Sequence, residues 1–219
     1  MRFLTVILCL LFSNGLSAQQ LEFSTGLVRN HFYRFNDNIP GKNARFQPAW
    51  GYSLGVGLRD VLLEGKKIDL YLRYENIRGD FLVQSNGRGG GISVSGSSRK
   101  STLGLDVLPL HFIFNRSLRI GVGIESRFLL DEFTTQQRHA RLGASSSQQN
   151  RHSDEERLSA PVTFGFILRA EQRIVQTDRL FLKSYLRGGL GLGKEFVDLP
   201  LFFGSARAEI GFFLGLTVG

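Results

Sequence analysis

The chain has 219 residues, a formal charge of +8 and a single cysteine, Cys9. That length suits one domain with a sizeable interior, and no linker supports a division into two. Past the first twenty residues no apolar run is long enough for a membrane helix, so a mature chain resident in a membrane would cross it as strands.

Arg2, the apolar run Phe3 to Phe12 and the small-residue stretch "SNGLSAQQ" predict a secretory signal peptide over residues 1–18, cleaved after Ala18. Cys9 lies inside that run, and Leu8 precedes it where a lipoprotein site needs a small residue. The mature domain, 19–219, is therefore expected to lack cysteine, disulfide and lipid anchor. Loss of Arg2 leaves a charge of +7, which favours contact with anionic surfaces. Export argues against nucleic acid as a partner.

Alternation with a period of two, the mark of a strand with unlike faces, then recurs along the chain. The first strand starts with Leu21, Phe23, Thr25 and Leu27 and runs to about Phe35. In the second, Trp50, Tyr52, Leu54, Val56 and Leu58 alternate with Gly51, Ser53, Gly55, Gly57 and Arg59; in the third, Ile68, Leu70, Leu72 and Tyr74 alternate with Asp69, Tyr71, Arg73 and Glu75. The fourth, Thr102 to Phe114, switches its apolar parity from Leu103, Leu105 and Val107 to Leu108, Leu110, Phe112 and Phe114, which predicts a bulge near Pro109. In the fifth, Leu118, Ile120, Val122 and Ile124 oppose Arg119, Gly121, Gly123 and Glu125; in the sixth, Val162, Phe164, Phe166 and Leu168 oppose Thr163, Gly165 and Arg169. The seventh sets Leu180, Leu182, Leu186, Leu190 and Leu192 against Lys183, Tyr185, Arg187, Gly189, Gly191 and Gly193. The eighth sets Ala206, Ala208, Ile210, Phe212, Leu214, Leu216 and Val218 against Arg207, Glu209, Gly211, Gly215 and Thr217.

Part of the seventh strand, "RGGLGLGKEF", comes close to a phosphate-binding loop: Gly188, Gly193 and Lys194 are spaced correctly. Glu195, however, stands where Ser or Thr would ligate magnesium, and no helical pattern follows. The alternation explains those glycines better.

Connections after strands two, four and six are short ("EGKK", "NRS", "VQTDR"). Those after one, three, five and seven are long, including "QSNGRGGGISVSGSSRK" and the polar run Asp131 to Arg157. Eight strands with turns of alternating length predict an antiparallel up-and-down transmembrane β-barrel, its short turns periplasmic, its long loops extracellular and both termini on the short-turn side. The polar face mixes glycine with opposite charges, as a narrow lumen requires. It yields a candidate interior network of Arg73, Glu75, Glu125, Arg127, Arg169, Glu171, Lys183, Arg187, Arg207 and Glu209. The apolar face offers Trp50, Tyr52, Tyr74, Phe112, Phe114 and Phe128 as interfacial aromatics.

The "AQQ" cleavage region, the strands "LDVLPLHFIFN" and "LRIGVGIE" and the closing "AEIGFFLGLTVG" resemble the small outer-membrane β-barrel domain family, which includes PorT-like and OmpA/OmpX-like eight-stranded barrels. The resemblance covers Gln19 to Gly219. Many such barrels end on an aromatic residue, whereas this chain ends Val218-Gly219 with Phe212 and Phe213 just upstream. It implies a role in envelope integrity, in adhesion or as an accessory of a secretion apparatus, with other envelope proteins as partners.

No constellation predicts catalysis, a metal or a cofactor. The histidines are His31, His111, His139 and His152; the last two share a polar run with Asp131, Asp154 and Glu155 but show no triad or ligand spacing. Lys42, Arg45, Arg88, Arg99, Lys100, Arg138, Arg141 and Arg151 are basic loop positions that could meet lipopolysaccharide. Two alternatives stay open: a soluble lipocalin-like barrel with the opposite facing, holding Leu54, Val56, Phe164 and Phe212 around an apolar ligand, and a lipid-modifying outer-membrane enzyme.

Overall fold

The computed structural model describes residues 20–34, 42–63, 65–87, 90–115, 117–142, 145–153, 159–192 and 203–217. The expected signal peptide, 1–18, lies outside them, as do Arg88, Asp154 and Glu155.

Among the described residues the strands are β1 (Gln20–Arg34), β2 (Lys42–Phe46), β3 (Ala49–Leu63), β4 (Lys66–Gly87), β5 (Gly90–Ile113), β6 (Leu118–Leu142), β7 (Ser145–Ser153), β8 (Val162–Gln176), β9 (Leu180–Leu192) and β10 (Phe203–Thr217). Eight of them, β1, β3, β4, β5, β6, β8, β9 and β10, pair antiparallel in that order, and β10 returns to β1 to close an eight-stranded barrel. Closure leaves the barrel wall without an edge, so its strands pair on both sides except at the bulges. Followed from strand to strand, one ladder runs Leu21, Leu58, Leu70, Val107, Ile124, Phe166, Leu190, Ala206 and reaches β1 again at His31, ten residues beyond its start. With eight strands, that stagger tilts each strand about 40° from the barrel axis.

Facing follows the period of two. Along β9, residues from Leu180 to Leu192 alternate between outward positions such as Leu186 and Leu190 and buried ones such as Lys183, Tyr185 and Arg187. The bulge falls where proline demands it: Val107 opposes Ile124 and Leu110 opposes Val122, so Leu108 and Pro109 share the place across from Gly123. The backbone presses close there, and a Cβ on Gly123 would lie 2.0 Å from the Val107 carbonyl oxygen. One assignment is corrected: Leu108 belongs to the inward face, 1% exposed, and the outward parity resumes only at Leu110. The extra residue is Pro109, and reversal comes after it.

The short turns are tight. Gly65, at φ 80°, sits between paired Leu63 and Lys66. Asn115 Oδ1 accepts from the amides of Ser117 (2.8 Å) and Leu118 (2.7 Å), turning β5 into β6. On the opposite rim the long connections carry strand structure of their own. β4 and β5 stay paired out to Gly87 and Gly90, β6 continues to Leu142 and folds back as β7, and β2 lies along the upper part of β4. Gly, Ser and Gln contribute little strand propensity, but a strand already paired in the wall offers its next amide and carbonyl to a neighbour, and pairing satisfies both.

Candidate functional site: a charged lumen inside an apolar belt

The ten inward candidates named from the sequence, Arg73 to Glu209, are each 5% exposed or less. Among the described residues eight buried carboxylates accompany eight buried cations, so the cost of desolvation is offset by pairing. The central cluster is built on Asp106. It accepts bonds from Arg187 Nε and Nη2, Arg73 Nη2 and Arg169 Nη2, all at 3.1 Å. Arg73 also donates to Glu209 (2.5 Å) and lies 3.1 Å from Glu75. Glu125 bridges Arg187 and Arg207, and Arg127 bonds Ser205 at 3.1 Å.

A second cluster lies nearer the short turns. Glu22 accepts from Lys183 Nζ (2.6 Å), the Tyr71 hydroxyl (2.7 Å) and Arg59 (3.1 Å), while Arg59 pairs with Glu171 at 2.8 Å. Asp69 is held by His111 Nε2 (2.9 Å) and Arg119 (3.1 Å). Between the two clusters sits a plug of Tyr71, Leu108, Ile167, Tyr185 and Phe213, with the Arg169 guanidinium 3.7 Å above the Tyr71 ring. Glycines make room for rings in the lumen: a Cβ on Gly57 would lie 2.2 Å from Tyr71, and one on Gly215 would lie 1.9 Å from Phe181. Gly188, from the stretch that mimics a phosphate loop, has open space around its missing Cβ.

Sequence reasoning left out Glu22, Arg59, Asp69 and Asp106. Each shares the parity of the charges it joins, but Asp106 stands among Leu105 and Val107 just before the parity switch, where a lone carboxylate looks incidental. Parity also could not show which charges, on strands far apart in sequence, would meet.

The outside is the reverse. Leu54 is 51% exposed, Phe164 60% and Phe212 53%, on strands whose alternate residues are buried ions. In water an apolar face is driven inward, whereas an outward apolar band around a polar interior is the facing of a barrel in lipid. The chain is a transmembrane β-barrel of the outer-membrane type. That facing overturns the lipocalin-like alternative, since Leu54, Val56, Phe164 and Phe212 lie outside the barrel and not around a cavity.

The chain matches the structure of Ail, the attachment invasion locus protein of Yersinia pestis (7% identity, 91% of this chain and 99% of that one, TM-score 0.38). It also matches Neisserial surface protein A (9%, 90% and 97%, 0.40) and the outer membrane protein OprG of Pseudomonas aeruginosa (11%, 93% and 99%, 0.43). No family model and no curated protein matches the sequence.

The aromatic candidates sit on the outside of the wall. Trp50 is the second residue of β3, at the rim of the strand extensions, and is 58% exposed; Phe128 is 43% exposed. Phe112 and Phe114 flank the β5–β6 turn on the opposite rim, 54% and 66% exposed. Tyr52 and Tyr74 pack together, with ring centroids 6.3 Å apart.

The polar candidates scatter. Asp131 and His139 are exposed on β6, and His139 pairs with Gln148 of β7. His152 lies on β7 across from Thr135. Of the basic loop positions, Arg99 is exposed on β5, but Lys100 is corrected: it is 7% exposed and faces the lumen, because the strand continues through this segment and alternates there as elsewhere. Lys42, Arg45, Arg138, Arg141 and Arg151 lie on the extension strands β2, β6 and β7. Among the described residues no group of three His, Cys, Asp or Glu is placed to hold a metal.

Proposed function

We propose that the chain is a non-enzymatic integral protein of the bacterial outer membrane, its termini in the periplasm, its lumen closed by the charge network and its strand extensions projecting outside the cell. It serves the envelope as a rigid mount for those extensions, in envelope structure, adhesion or as an accessory of a secretion apparatus, and it contacts lipopolysaccharide and other envelope proteins. The reading rests on one observation, the inversion of facing: paired ions fill the inside and apolar side chains cover the outside. A lumen filled by Arg–carboxylate pairs and aromatic rings argues against a general diffusion pore.

The test combines membrane fractionation with bilayer recording. The mature chain is expected to require detergent for extraction from the outer membrane, to run differently on a gel when unboiled, and to show no steady conductance. A soluble periplasmic product sinks the membrane reading, and a persistently open channel sinks the closed lumen.

A further inference from the structure

The lipid-facing surface is not uniformly apolar. Arg29 of β1 is registered against Trp50 of β3, Trp50 against Arg78 of β4, and Arg78 against Arg99 of β5. All four side chains point outward and are exposed, so three guanidiniums and an indole form one row across four adjacent strands. At the usual strand spacing the row is roughly 15 Å long. It lies where the apolar belt gives way to the polar extensions.

The row is organised. The Arg29 guanidinium lies 5.1 Å from the Trp50 ring centroid. Arg99 Nε donates to Asn76 Oδ1 at 3.1 Å, and Asn76, although on the outward face, is only 8% exposed and gives its own amide to Ser101 Oγ at 2.8 Å. Arg99 is thereby fixed through Nε while its terminal amino groups have no carboxylate partner among the described residues. Arg78 makes no ion pair among them either. Two exposed carboxylates, Asp80 and Asp131, share the neighbourhood. At the matching level on β8, β9 and β10 the outward residues are Phe164, Leu190, Leu192, Ala206 and Ala208, without charge. A row confined to one side of the belt is not general membrane anchoring, and guanidiniums without a carboxylate partner among the described residues, at a headgroup level, suit a multiply charged lipid.

Resting on the outer-membrane reading, we propose that Arg29, Arg78 and Arg99, with Trp50 against the sugar or acyl shoulder, form a binding site for the phosphorylated headgroup of an outer-leaflet lipid of the lipid A class. The test uses the mature chain folded into phosphatidylcholine vesicles doped with lipid A, with bound lipid A measured by native mass spectrometry after detergent exchange. The R29Q/R78Q/R99Q variant is expected to bind lipid A at least about tenfold more weakly, the loss of one charge-assisted bond or more. A control with the same charge change on the opposite rim, K66Q/K67Q/R179Q, is expected to match wild type. Equal retention by a folded R29Q/R78Q/R99Q variant overturns the site and leaves the membrane reading standing. Loss of retention in the control to the same degree reduces the effect to net charge and also overturns it. Displacement of lipid A by inorganic phosphate alone assigns the row to a free anion and overturns the lipid. If the wild-type chain never acquires a heat-modifiable folded form in vesicles, the membrane reading falls, and the site with it.

Discussion

Replacing Asp106 by Asn changes almost no volume and strikes the centre of the lumen. The carboxylate receives four bonds from three arginines, and an amide keeps one acceptor oxygen while turning an NH2 group toward a guanidinium. Four charge-assisted bonds at about 1.5–3 kcal/mol each would sum to roughly 6–12 kcal/mol. That sum is too large here, because Arg73 keeps Glu75 and Glu209, and Arg187 keeps Glu125. The expected loss is about 3–5 kcal/mol, the range for a buried ion pair deprived of one partner. Urea titration in lipid vesicles measures it, with the folded fraction read from the mobility of unboiled protein; Asp131→Asn, at an exposed site, serves as the control. If Asp106→Asn falls within about 0.5 kcal/mol of wild type, the lumen network is not a cooperative element of the fold.

Gly215→Ala is expected to cost about 1–3 kcal/mol by overpacking against the Phe181 ring, and Phe181→Leu in the same chain to recover part of that loss on the same titration. Residues from Gln20 onward include no cysteine, so single cysteines report facing cleanly. Phe164→Cys should react with a lipid-phase maleimide in the folded protein, whereas neighbouring Thr163→Cys, 9% exposed, should react only after unfolding; equal labelling would contradict the alternation. Leu108→Asp is expected to lower the folded yield sharply, because it adds an unpaired carboxylate to the apolar plug, while Leu110→Asp should mainly hinder insertion into lipid. Pulse-folding assays by gel shift separate the two outcomes.

What the sequence makes legible is whatever depends on neighbours two residues apart. Leu186, Arg187 and Gly189 announce their faces because strand geometry alone fixes them, and Pro109 marks the bulge because it cannot donate to the ladder. The partners are not legible. Nothing near Asp106 in sequence points to Arg169 or Arg187, which reach it only through the ten-residue stagger of the closed wall. Polar stretches mislead in another way: "SVSGSS" and "SSSQQN" have loop composition, yet they pair because strands of the wall extend to meet them. The row of Arg29, Arg78 and Arg99 escapes notice for both reasons together, since its members lie on three separate strands and Arg99 sits in a segment that looks like loop.

The β1–β10 pairing joins the first and last strands of the wall, and β10 brings Arg207, Glu209 and Ser205 into the lumen. Ser53, Arg73, Glu75, Glu125, Arg127 and Tyr185 all depend on those three residues for a bond or an ion pair. A chain halted before its last strand would leave ions from β4 and β6 facing one another without their counter-charges, as well as two open edges. Assembly is therefore strongly end-dependent: the carboxy-terminal strand works as a keystone, and a truncated product is held unfinished by unmet charge as well as by unmade backbone bonds, in a state that quality-control proteases can recognise before the wall is sealed.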